Sequence, residues 1–381
     1  MILQLFFYSL LALLFGSFTN VLIYRIPANL SVLSPGSYCP ECKHPLSILE
    51  KIPIISFMLQ QGKCTKCSAR IPWHYPIVEL ILVLLAYPFI NYSQSLIEFT
   101  MILIILSLVV AQGFIDEKNH KLPLGLSYIG IVLVAFFTSF QGALFFQIDP
   151  SFSFLKLPYL ARFANFAYHL GLVMFSLDFL VHLSNTLFFK KIAERITSSA
   201  LCFRIAFLER HATAYYLFIF AGGLLIFSML GINYLKILFA LIGTSYLVNE
   251  IILDYFVLPK IIGGRDNIQD FGFDGSDEPD GSDESETRTV MGGGDIAFLG
   301  LIGVVCGAQA GFFILVLAFY LIFIKLLFDK IVCLASKKTF VLVASYPMGF
   351  ALAIIFIADM INMVYRGNHL FVELLRLLEL N

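Results

Sequence analysis

The run MILIILSLVVAQGFID, residues 101–116, decides the fold. Its first fifteen positions carry no charge and are mostly aliphatic, and the run then closes on a single carboxylate, Asp116. A hydrocarbon layer about 30 Å thick takes roughly 20 apolar residues at 1.5 Å each, a length met by residues 97–115. No water is available there to satisfy backbone amides, so the segment is expected to be a helix spanning a bilayer.

The rest of the chain agrees with that reading. Of 381 residues, 59% are hydrophobic and 13% charged, against about 45–50% and about 25% in soluble domains. Forty Phe and a mean hydropathy of +0.87 exclude a set of soluble domains. The expectation is an all-α polytopic membrane protein of about ten transmembrane helices. They fall near residues 2–24, 76–92, 97–115, 124–145, 166–189, 212–232, 235–257, 295–309, 311–333 and 339–362. Twenty-five basic residues nearly balance 26 acidic ones, which predicts no nucleic-acid partner; the lipid bilayer is the expected surround.

Residues 1–24 lack a basic lead-in and a small-residue cleavage pattern, so this segment is expected to remain attached as the first span. The loop from Arg25 to Pro76 follows with Arg25, Lys43, Lys51, Lys63, Lys66 and Arg70 against Glu41 and Glu50. The positive-inside bias predicts a cytoplasmic loop and an N-terminus outside. Residues 265–289 hold nine acids and two bases, with Gly275-Ser276 and Gly281-Ser282, and read as a flexible linker rather than a calcium loop.

The expected organisation is a first transmembrane helix (1–24) and a cytoplasmic four-cysteine loop (25–75). Helices carrying the first acid follow (76–145), then an inserted connection with extra helices (146–264). An acidic loop (265–290) and a glycine-rich motif with C-terminal helices (291–381) complete it.

Within the cytoplasmic loop, Cys39-Pro-Glu-Cys42 and Cys64-Thr-Lys-Cys67 form two C-x-x-C knuckles. Each supplies two thiolates, and four thiolates suit one tetrahedral zinc with no open position, hence a structural ion. Two disulfides are the competing reading, disfavoured in a reducing compartment. Cys202, Cys306 and Cys333 read as buried apolar side chains.

Intramembrane carboxylates are costly and point to function. Asp116 ends the third span, and Asp295 follows Gly292-Gly293-Gly294 and opens the run Ile296–Val305. Both are expected at one cytoplasmic depth, where two carboxylates sharing a proton give an acid beside a base, as in aspartic proteases. Gly292 and Gly294, lacking side chains, would let a substrate backbone approach. Taken singly, Asp116 also reads as an interface acid and Asp295 as a helix N-terminal residue. Glu79, Asp178, Glu250, Asp254, Asp359, His169, His182 and His211 read as packing or interface residues.

In order along the chain stand Gly16-Ser17-Phe18-Thr19-Asn20 through Arg25-Ile26-Pro27, the knuckles around Ile52-Pro53-Ile54-Ile55-Ser56, and Tyr75-Pro76-Ile77-Val78-Glu79-Leu80. After them come Phe114-Ile115-Asp116 with Leu122-Pro123, Gly292 to Asp295, and Tyr346-Pro347-Met348-Gly349. This series resembles the bacterial type IV prepilin peptidase family of inner-membrane leader peptidases and N-methyltransferases, the Gly-x-Gly-Asp intramembrane aspartic proteases. The resemblance implies that Asp116 and Asp295 activate water to cleave a basic leader from type IV prepilins or type II secretion pseudopilins. It implies cytoplasmic cleavage, and methylation of the new N-terminus from S-adenosylmethionine, for which no residue here indicates a site.

The chain departs from the family pattern at Ala297, His74 and Leu124, and between residues 146 and 290, where it is longer. Alternatives are a preflagellin or signal-peptide peptidase type of Gly-x-Gly-Asp protease, and a transporter or non-catalytic assembly factor. A transporter would place its acids near the bilayer midplane.

Overall fold

The computed structural model describes residues 2–120, 122–140, 157–184, 232–245, 293–335, 347–370 and 372. Among these, every regular element is helical, and strand-like pairing is limited to two isolated antiparallel bridges, Tyr38 with Pro45 and Lys63 with Arg70. The helices run α1 (Ile2–Arg25), α2 (Ile55–Leu59), α3 (His74–Ala86), α4 (Phe89–Tyr92), α5 (Leu96–Asn119) and α6 (Leu124–Phe140). Then follow α7 (Pro158–Ser184), α8 (Ile232–Ser245), α9 (Gly293–Cys306), α10 (Ala308–Ala335) and α11 (Met348–Arg366).

Among the described residues, four helical segments are long and apolar enough to cross a membrane: Leu3–Arg25, Leu96–Asn119, Ala308–Phe328 and Met348–Arg366. His74–Ala86, Leu124–Phe140 and Gly294–Cys306 are apolar but shorter. The expected span 76–92 is divided, because Pro88 has no N–H to continue the ladder, and α4 restarts at Phe89. Gly307, at φ +89°, ends α9 and turns the chain into α10. The last expected span, 339–362, has its described helix only from Met348, after Pro347, and runs on to Arg366, where Gly367 closes it at φ +70°. The expected span 212–232, apart from Ile232 itself, the acidic stretch 265–289, Tyr346, Cys202, His211, Glu250 and Asp254 lie outside the described residues.

Two compact units divide the described chain. The first draws on Met1–Gly130 and Phe313–Asn381, the second on Ile131–Arg265 and Asp274–Phe312.

In the first unit, α1 packs on α3 and α5, and α11 packs on α5. Helices in lipid gain little from hydrophobic contrast, so close backbone approach carries the association. Gly16 makes the α1–α3 contact possible, since a Cβ there would stand 2.7 Å from the Glu79 Cα. Gly113 does the same for α5 and α11, where a Cβ would lie 3.1 Å from that of Ala353. Ser95 caps α5 by accepting from the Glu98 N–H at 3.1 Å, and Glu98 accepts in turn from the Gln94 N–H at 2.8 Å. Leu22, Ile26, Leu108, Ala111, Ile115 and Leu126 form an apolar cluster behind the far end of α5, which keeps that end fixed.

In the second unit, α7 crosses α8 at Gly171 and Gly243, each too close to the other helix's backbone to admit a side chain. Gly300 and Gly303 seat α9 against Met174 and Val173 of α7. His169 of α7 accepts through Nδ1 from the Ala308 N–H at 3.1 Å and so caps α10. The packing role expected for His169 is thus a specific one.

Candidate active site and metal centre

The cysteine loop connects α1 to α3, and its two knuckles are built alike. In the first, Cys39 N–H donates to His44 O at 2.9 Å and Lys43 N–H to Cys39 O at 2.9 Å. In the second, Cys64 N–H donates to Ala69 O at 2.8 Å and Ser68 N–H to Cys64 O at 3.0 Å. Lys43 and Ser68, each just past the second cysteine, occupy the left-handed region at φ +57° and +60°. Each turn therefore folds its two sulfurs to one side.

The four sulfurs lie within 4.8 Å of one another and none is in a disulfide. Cys39 Sγ is 3.8 Å from Cys67 Sγ, and Cys42 Sγ is 4.0 Å from Cys64 Sγ. A zinc ion with Zn–S about 2.3 Å requires sulfur–sulfur edges of about 3.8 Å, so the donor set fits a tetrahedral ion. N–H groups of Cys67 and Lys66 hold the Cys64 thiol down to about 7, while at Cys67 the Ala69 N–H is outweighed by burial and the contacts with Cys42, Cys64 and Cys39, which push the thiol up to about 12.

Two side chains knit this loop. The Glu50 carboxylate accepts from the Ser47 N–H at 2.8 Å and from the Thr65 hydroxyl, tying the two knuckles together. Those bonds, Thr65 first, hold its carboxyl down to about 2. Arg25 is 5% exposed, and its guanidinium donates to Ser31 O at 2.8 Å and Gly36 O at 3.1 Å while lying 5.7 Å from the Tyr38 ring centre. The residue expected to act as an orientation charge is also a structural clasp.

Asp116 sits in the last turn of α5 and is 4% exposed. Its Oδ2 accepts from the N–H of Gly349 at 2.7 Å and of Phe350 at 3.3 Å, the free amides of the first turn of α11. Oδ1 accepts no hydrogen bond among the described residues. Pro347 starts α11, and a Cβ on Gly349 would meet the Leu122 methyls at 2.7 Å. The two short motifs Leu122-Pro123 and Pro347-Met348-Gly349 thus meet around one carboxylate, a contact that pattern reading missed because α11 offers amides rather than side chains.

Asp295 lies half-buried in the first turn of α9, in the second unit, with Gly293 and Gly294 ahead of it in the same turn. Gly292 lies outside the described residues. First-turn N–H groups have no partner within their own helix.

Three buried polar groups elsewhere in the first unit are settled differently. Glu79 Oε2 accepts from the Ile54 N–H at 2.7 Å, holding Ile54 at the strained φ of +60°. Asp359, expected at an interface, is 1% exposed and accepts from His369 Nδ1 at 2.8 Å and the Leu370 N–H at 2.6 Å. Gln112, one turn before Asp116 on α5 and 0% exposed, accepts through Oε1 from the Ser127 hydroxyl at 2.6 Å.

Sequence comparison bears on these motifs. Residues 10–109 match the family model of the bacterial peptidase A24 N-terminal domain. Curated proteins called prepilin leader peptidase/N-methyltransferase are similar to part of the chain. That of Myxococcus xanthus is 36% identical over 126 residues, 33% of this chain and 38% of its own length. That of Vibrio cholerae is 32% identical over 137 residues, 34% of this chain and 54% of its own length. That of Bacillus subtilis is 40% identical over 99 residues, 26% of this chain and 40% of its own length. These matches support the type IV prepilin peptidase family that the motifs resemble, and each spans less than two thirds of the relative. No solved structure matches the chain.

Proposed function

We propose that this chain is an intramembrane aspartic endopeptidase that removes the leader from type IV prepilins or type II secretion pseudopilins, with Asp116 and Asp295 as its catalytic carboxylates. One observation carries the reading: a buried carboxylate at the end of a membrane-length helix, anchored through Oδ2 and accepting no bond at Oδ1.

In the proposed reaction one carboxylate takes a proton from water, whose oxygen adds to the carbonyl carbon of the scissile bond. The other carboxyl group gives its proton to the departing amine as the C–N bond breaks. The amides of Gly349 and Phe350 keep the Asp116 carboxylate from rotating, which preserves its aim. Gly292 and Gly294 border the substrate backbone. The excess of basic residues between Arg25 and Pro76 supports the reading of this chemistry as cytoplasmic, in an inner membrane crossed about ten times, with the N-terminus outside.

Zinc, bound by Cys39, Cys42, Cys64 and Cys67, would be structural, since four sulfurs complete its coordination. A methyl donor is implied only by the name of the relatives. A cavity of about 450 Å³ in the cysteine loop is lined by Lys43 and Lys51 with no acid, which does not suit the sulfonium cation of S-adenosylmethionine. N-methylation is proposed from similarity alone.

The experiment is leader removal from a prepilin by the purified protein in lipid, followed by mass spectrometry. A preflagellin or signal-peptide substrate cleaved in preference would move the chain to another branch of the Gly-x-Gly-Asp proteases.

A further inference from the structure

Gln112 has an atom that the arrangement described above does not use. Its Oε1 is committed to Ser127, but Nε2 is buried and has no hydrogen-bond partner among the described residues. A buried donor left unmade is costly, and native proteins rarely keep one without use. Gln112 precedes Asp116 by four residues, so the two share a face of α5, about 6 Å apart along its axis.

A peptide must leave the helical conformation to be hydrolysed, which strips its carbonyls near the scissile bond of their internal partners. An extended chain advances about 3.3 Å per residue, so 6 Å corresponds to about two residues. We infer that Gln112 is a substrate-binding residue: Nε2 donates to the peptide carbonyl about two residues from the scissile bond, on the side lying deeper in the membrane.

Ser127 then acts as a positioning residue. By donating to Oε1 it holds the carboxamide in one orientation and leaves Nε2 as the uncommitted donor. The inference rests on the reading of Asp116 as catalytic, and it extends that reading to substrate recognition.

The test pairs an enzyme change with a substrate change. Gln112→Met and Gln112→Leu keep the volume and remove the donor, and a thioamide at the second peptide unit on the deeper side weakens the acceptor. Wild type is expected to lose about tenfold in kcat/KM on the thioamide, the size of one hydrogen bond. The Gln112 variants should be about tenfold slower on the natural substrate, with folding checked by thermal melting, and insensitive to the thioamide.

Equal sensitivity of wild type and both variants to the thioamide would overturn the inference, as would full activity in Gln112→Met. An Asp116→Asn control separates the two claims. Cleavage that survives in it contradicts the catalytic reading itself, whatever Gln112 does.

Discussion

The Oδ2 atom of Asp116 accepts a 2.7 Å hydrogen bond from the backbone N–H of Gly349, a residue 233 positions further along the chain. This bond couples the end of α5 to the start of α11, and Leu122 fills the space that a side chain on Gly349 would need. Anything that pushes α11 away should therefore release the carboxylate.

Gly349→Val tests that coupling. The added branch meets Leu122, costing about 1–3 kcal/mol of stability by overpacking, and misplacing Asp116 by about 1 Å lowers cleavage about 100-fold. Leu122→Ala in the same chain opens the space and should recover about a tenth or more of the rate. Cleavage assays and thermal melts of the single and double variants check both numbers.

The cysteine loop should hold about one zinc per chain, because four sulfurs at these spacings complete one tetrahedron. Cys39→Ser or Cys64→Ser should bring metal content close to zero and expose residues 39–67 to protease, since ion and loop fold together. Elemental analysis and limited proteolysis measure the two effects.

Glu50 makes the loop acid-sensitive in a defined window. Its carboxyl sits at about 2 in the folded chain against 4.5 for the free group. A depressed folded value means stabilisation that is complete above pH about 4.5 and lost as pH falls toward about 2. Hydrogen exchange at the Ser47 amide should be slower in wild type than in Glu50→Gln above that window, and the difference should vanish within it.

Asp359 closes the far end of α11 onto the segment after Gly367, through His369 and Leu370. Asp359→Ala leaves both donors without this acceptor and should cost about 1.5–3 kcal/mol, as for bonds to charged groups. Thermal melting reads the loss.

Much of this was legible in the residues. Apolar runs at membrane length marked α1, α5, α10 and α11, and the two C-x-x-C pairs marked a four-sulfur cluster that the loop indeed assembles. Hydropathy alone concealed the break at Pro88, where apolar residues continue although the backbone ladder does not. The bond from Gly349 to Asp116 was hidden for another reason: a backbone amide has no signature in composition, and the partner is distant in sequence. Arg25 was legible as a charge but not as a clasp, because its acceptors are carbonyls that any residue carries.

The central claim is that Asp116 and Asp295 perform the cleavage. The measurement is leader removal from a prepilin in reconstituted lipid, comparing wild type with Asp116→Asn and Asp295→Asn, each shown to be folded by thermal melting. Wild type is expected to remove the leader, and both variants to lose at least about 1,000-fold of that rate. Substantial cleavage by either variant would contradict the claim.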